Sequence, residues 1–211
     1  VRGMAPLIRV RENSEKLILQ ALEVGAEGIV FPFVQSAEDV NRAARAIRYA
    51  PDGVRGTCTA SRASLYGTLR RNFLELTRKT NEEIVLVALI EDVNGVNAIQ
   101  EILNCDPGVD VVLVGRSDLS ASAGRMGQPN HPDVIDATNR IIQAANKHSR
   151  PVRAGIVLGA SEDAAKWMDA GCRFVTYGTD SDLLLNAATQ ARQAFSAATG
   201  RVRERAGIAT G

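Results

Sequence analysis

Two short apolar runs, residues 84–90 (IVLVALI) and 109–114 (VDVVLV), limit most strongly what this chain can fold into. Each is too short for an ordinary helix and too uniformly apolar for a strand with one wet face. Both therefore predict parallel strands buried on two sides. An acid follows each run: Glu91 comes directly after the first, and Asp118 stands four residues beyond Val114. If both runs belong to one sheet, two carboxylates emerge at neighbouring strand ends.

The rest of the chain repeats the alternation. Residues 6–10 predict a short first strand with Arg9 near its C-terminal end. A helix over about 15–24 follows, introduced by Glu12, Asn13 and Ser14 and stopped by Gly25. Residues 28–32 predict a second strand. Ser36 to Asp39 resembles a capping box with Asp in place of Glu, opening a helix with Val40, Ala43, Ala44 and Ile47 inward. A long loop over 49–67, with Pro51, Gly53, Gly56 and Gly67 as turn formers, has the length of functional or partner-binding segments. A helix over 73–80 leads into the strand before Glu91, and 96–103 predicts another. Pro132 falls at the first turn of a helix reaching about Lys147, where its missing N–H is tolerated. Residues 152–156 predict a strand, Ser161 the cap of a helix to Ala170, 174–178 the last strand, and 180–199 a closing helix before a Gly- and Arg-rich tail.

Six strands alternating with helices imply a parallel sheet covered by helices. An open doubly wound sheet should carry G-x-G-x-x-G after its first strand, and that motif is absent. The expectation is a (β/α)8 TIM barrel, one domain over 1–199 with a tail over 200–211, whose first strand–helix–strand stretch lies ahead of Val1. In such a barrel the site lies at the C-terminal ends of the strands, which puts Arg9, Glu91 and Asp118 on one rim.

Charge and cysteine usage narrow the partner. Lys+Arg 25 against Asp+Glu 24 in 211 residues leaves +1, so no broad field favours nucleic acid or an anionic membrane. The longest apolar run falls far short of the roughly 20 residues that cross a bilayer. Three widely spaced cysteines, Cys58, Cys105 and Cys172, suit neither a disulfide framework nor a thiolate zinc site, and point to a reducing, cytoplasmic setting. Two carboxylates without a nearby cysteine or histidine cluster describe an oxygen-ligand site for Mg2+ or Mn2+, with Co2+ or Zn2+ also compatible. Arg9 adds a fixed positive charge. Together they suit a reaction that develops negative charge on a carbonyl oxygen.

Each residue also has a structural reading. Glu91 and Asp118 can each cap a following helix, as Asp180 does in TDSD. Arg9 can sit in a surface ion pair. His131 orders the loop and helix start before Pro132, and His148 is a solvated partner of a helix C-terminus.

The ordered segments PLIRV, GAEGIVFPFVQSAEDV, YAPDGVRG, SRASLYG, IED, GVDVVLVGRSDLSASAGRMGQPNHPDV and FVTYGTDSDLL resemble the HpcH/HpaI aldolase family over nearly the whole chain. The resemblance implies a barrel of the phosphoenolpyruvate/pyruvate type and a divalent metal. It implies aldol cleavage or formation in which the enolate of pyruvate, or of a related 2-oxo acid, attacks an aldehyde. It also implies a homo-oligomer, commonly a hexamer built from dimers that exchange a C-terminal helix. By motif, Glu91 and Asp118 match the metal ligands, and Arg9 matches the arginine beside the keto oxygen. The N–H groups of Ser117 and Asp118 match those that hold the substrate carboxylate.

Three positions depart from the pattern. Leu89 stands where the family often has glutamine, and Arg116 replaces a common proline, placing a cation next to Asp118. The family's acid–base histidine falls in the stretch expected before Val1, and neither His131 nor His148 matches it. Two readings from other classes stay open: a phosphate-ligand barrel using the glycines after the last strands, Gly159 and Gly178, and a catalytically silent binding barrel.

Overall fold

The computed structural model describes residues 3–158 and 164–205, with side chains up to residue 199. Six strands are present: β1 (Leu7–Arg9), β2 (Gly28–Phe31), β3 (Val85–Ile90), β4 (Val111–Val114), β5 (Arg153–Leu158) and β6 (Phe174–Tyr177). They form one sheet in chain order, and every pair is parallel. Ile90 lies opposite Val114, which brings the ends of β3 and β4 level.

Side chains alternate between two apolar surfaces, as the period of a strand requires. Leu86, Ala88, Ile90, Val112, Val114, Ala154 and Ile156 face outward into the large core shared with the helices. Val30, Val87, Leu89, Val111 and Leu113 face inward and form a second cluster, against which Leu7 of β1 and Phe174 of β6 also pack. Side chains from the first and last strands thus meet one interior, and the sheet curls as a half-barrel. Uniform burial of β2 and β4 explains why their sequences show no polar alternation. The eightfold closure expected from the sequence is not present among the described residues. Six staves leave β1 and β6 as open edges.

Nine α-helices are present among the described residues, α1 (Glu15–Glu23), α2 (Ala37–Ile47), α3 (Phe73–Glu83), α4 (Val93–Asn97), α5 (Ile99–Leu103), α6 (Arg116–Ser122), α7 (Pro132–Lys147), α8 (Ala164–Asp169) and α9 (Asp180–Arg205), the last of them largely exposed. The helix predicted over 96–103 is two short ones, α4 and α5, and α9 runs past residue 199 to Arg205. Ser36 caps α2 by accepting the Asp39 N–H at 3.2 Å. The shorter Asp39 carboxylate accepts from Gln35 N–H rather than from Ser36 N–H. At α9 the cap is Thr179, which accepts the Asp182 N–H, while Asp180 is the first helical residue.

His131 caps α7 as expected, its Nδ1 accepting from Asp133 N–H. His148 is not simply solvated, because its ring bonds Arg150 and Asn104. All three cysteines are free, Cys105 and Cys172 being buried. Among the described residues no helix is long and apolar enough to cross a membrane. Ser161 as a cap, Gly159 and the tail after Arg205 lie outside the described residues.

Candidate active site

Strand alternation places Leu7 and Arg9 of β1, and Leu89 and Glu91 at the end of β3, on the inner side of the sheet. Glu91 directly follows β3 and is only 2 % exposed. It does not cap the next helix. Its neighbour Asp92 does, accepting Asn94 N–H at 2.7 Å and the Ser122 hydroxyl at 2.8 Å. Glu91 is thereby left to face the interior, where its Oε1 accepts the Phe33 N–H at 3.1 Å.

Two backbone features make room for this carboxylate. Phe33 holds φ +50°, a left-handed conformation costing about 1–2 kcal/mol for a non-glycine residue, and in it donates its N–H to Glu91. Gly115, immediately after β4, donates to Ile90 O at 3.0 Å. A Cβ at Gly115 would stand 2.9 Å from Glu91 Oε2 and 3.1 Å from its Cβ, so only glycine permits this approach.

Gly115 is also the N-cap of α6, which has no side-chain cap. Asp118 lies in the first turn of α6, exposed, with its carboxyl within reach of Glu91. Burial pushes the Glu91 carboxyl above the usual carboxylate range. The Phe33 N–H and the nearby charge of Arg9 pull it back, while Asp118, a like charge within hydrogen-bond reach, pushes it higher. Arg9, Glu91 and Asp118, singled out from the sequence, therefore meet at one rim. Two adjacent carboxyls, one of them buried, carry more negative charge than Arg9 offsets. That is a setting for a hard cation with oxygen ligands, the remaining positions left to water and substrate. No cluster of three or more acid, histidine or cysteine ligands accompanies them among the described residues.

The HpcH/HpaI aldolase/citrate lyase family profile matches residues 1–187. The chain belongs to that family. A 5-keto-4-deoxy-D-glucarate aldolase of Enterobacter sp. (strain 638) is 33% identical over 191 residues, covering 90% of this chain and 72% of the relative. Among solved structures, an HpcH/HpaI aldolase/citrate lyase family protein from Burkholderia cenocepacia J2315 superposes with a TM-score of 0.82 at 34% identity, covering 90% of this chain and 73% of that one. An HpcH/HpaI aldolase from Desulfitobacterium hafniense DCB-2 gives 0.81 at 29%, covering 92% and 73%.

Within this family frame the two departures at the site have definite surroundings. Leu89 is buried in the inner cluster, so the interior beneath Glu91 is apolar. Arg116, two residues before Asp118, is half-buried. Its guanidinium bonds Asn130 Oδ1 at 2.8 Å and lies over the Trp167 ring, with Cζ 5.2 Å from the centroid. Reading the sequence also missed Phe33 and Gly115. Glycine at a strand end was the available signal for Gly115. Phe33 acts through its backbone, which its side-chain identity does not encode.

Proposed function

We propose that this chain is a divalent-metal-dependent aldolase that cleaves or forms 4-hydroxy-2-oxo acids, with pyruvate as the keto-acid partner of an aldehyde. The observation that carries the reading is the meeting of Glu91, Asp118 and Arg9 at the C-terminal ends of β1, β3 and β4, in a chain of an aldolase family. The sheet is read as six staves of a (β/α)8 barrel, in keeping with its strictly sequential parallel order.

Glu91 and Asp118 would hold Mg2+ or Mn2+, and both supply the hard oxygen donors such an ion prefers. When bound, the ion supplies Lewis acidity at the substrate's keto oxygen. In cleavage water takes the proton of the 4-hydroxyl, C4 becomes the aldehyde carbon as the C3–C4 bond breaks, and that bond's electron pair moves into an enolate whose charge rests on the keto oxygen; return of a proton from water to C3 gives pyruvate. Arg9 stands to stabilise the charge. The Ser117 and Asp118 N–H groups, in the first turn of a helix with no side-chain cap, suit a substrate carboxylate. Leu89 and Leu113 form an apolar floor that keeps water away. The base is neither His131 nor His148, since both are engaged in structural hydrogen bonds.

A homo-oligomer completes the proposal. The helix side of β6 leaves Val175 and Tyr177 exposed, and α9 leaves Leu183, Leu184, Leu185 and Phe195 exposed, an apolar area suited to a second copy. Sedimentation of the wild type against Leu184→Arg reads this directly: the variant should shift to smaller species.

Pyruvate release from a panel of 4-hydroxy-2-oxo acids, beginning with the keto-deoxy sugar acid for which the relatives are named, tests the chemistry. Release should require Mg2+ or Mn2+ and stop on chelation. Turnover that survives chelation, or no turnover across the panel with metal present, would contradict the proposal.

A further inference from the structure

The seam between the exit of β3 and helix α6 is joined at three successive levels. Gly115, where α6 begins, donates its N–H to Ile90 O at 3.0 Å. One turn on, the Asp118 carboxyl reaches Glu91. A further turn on, the Ser122 hydroxyl donates to Asp92 Oδ2 at 2.8 Å and accepts the Val93 N–H at 3.0 Å. Positions 115, 118 and 122 follow the three- and four-residue spacing that keeps groups on one face of a helix, so one face of α6 meets residues 90–93 in order. The first level is a backbone bond, and the second sets two acids against each other, which repel when both are ionised. The third supplies the attraction between side chains.

Both oxygens of Asp92 are engaged in this frame, Oδ1 accepting the Asn94 N–H and Oδ2 the Ser122 hydroxyl. The acid beside Glu91 therefore holds backbone and helix together and leaves an ion to Glu91 and Asp118. A hydroxyl can donate to a carboxylate and accept from a backbone N–H at once, which alanine cannot do and threonine can. Helix α6 spans only seven residues and has no side-chain cap, so its own hydrogen bonds hold its direction weakly. We propose that Ser122, through Asp92, is a positioning residue of the metal centre: by pinning the far end of α6 to the segment that carries Glu91, it sets the separation at which the Glu91 and Asp118 carboxyls share one divalent ion. The inference rests on the reading of those two acids as metal ligands and adds a residue that acts through them.

The test is calorimetric titration of the metal-free full chain with Mn2+, comparing the wild type with Ser122→Ala, Ser122→Thr and Asp110→Ala, each melted in parallel. Ser122→Ala should weaken Mn2+ binding about tenfold, the scale of losses at residues that orient metal ligands. Its melting temperature should barely move, because Ser122 is exposed. Ser122→Thr, which keeps the hydroxyl, should restore the affinity. Asp110→Ala, which removes a strand-to-strand hydrogen bond at the opposite end of the sheet, should lower the melting temperature and leave Mn2+ affinity unchanged, separating position from stability. A wild type that binds no Mn2+ would remove the reading of Glu91 and Asp118 as ligands, and this inference with it. A wild type that binds Mn2+ beside a Ser122→Ala that binds it equally well would overturn this inference alone. Binding by Ser122→Thr as weak as by Ser122→Ala, or equal weakening in Asp110→Ala, would overturn it as well.

Discussion

The two ends of the β3–β4 pair each carry an acid, and the two acids are treated in opposite ways. At the amino end, Asp110 is half-buried and its Oδ2 accepts the Leu86 N–H at 2.8 Å, stitching the two strands in register. At the carboxyl end, Glu91 is buried and accepts the N–H of a strained Phe33, with Asp118 pressed against it and Arg9 nearby. The first arrangement lowers the free energy of the fold. The second raises it, since a buried charge with a like neighbour is held only by the structure around it. One end of the strands is arranged for stability and the other for a charged occupant.

Substitutions at the two ends should therefore separate activity from stability. Asp118→Ala has the largest expected effect at the carboxyl end: pyruvate release should fall about a hundredfold or more. Its melting temperature should barely move, because the side chain is exposed. Equal losses of activity and stability in that variant would erase the contrast. Gly115→Ala pushes a methyl group into Glu91 and should both reduce activity and destabilise by about 1–3 kcal/mol, measured by denaturant unfolding. Asp110→Ala removes the acceptor of the Leu86 N–H and should cost about 1–3 kcal/mol while leaving turnover per folded molecule intact. Loss of turnover there would mean the amino end also serves the chemistry.

The smallest effect sharpens the contrast by its sign. Glu91 has a raised carboxyl pKa in the folded state, so the stability its neutral form contributes is complete below the ordinary carboxylate range. That contribution is lost as pH rises through the raised value. Glu91→Gln should therefore raise the melting temperature of the metal-free protein at neutral pH, leave it unchanged at acid pH, and abolish activity. A variant less stable than the wild type at neutral pH would indicate that Glu91 is a stabilising residue like Asp110.

Much of this was legible in the residues, for identifiable reasons. The uninterrupted runs at β3 and β4 and the recurring caps announced a parallel sheet, because burial on both faces leaves no polar alternation to mislead. Glu91 and Asp118 stood out because neither follows from the apolar pattern before it. The alternation of strands and helices announced six parallel staves in chain order, which are present, but does not itself state how many meet in a ring. The contacts of Arg116 were also illegible, because Trp167 and Asn130, which its guanidinium meets, are distant in sequence. Phe33 went unnoticed because a left-handed aromatic residue breaks the local rule, and such breaks concentrate where a fold serves function.

Titration of Mn2+ into the metal-free protein, followed by calorimetry, addresses the pairing of the two acids most directly. Saturable binding is expected in the wild type, and its loss in both Glu91→Gln and Asp118→Ala. Undiminished affinity in either variant would contradict a shared ion at this rim.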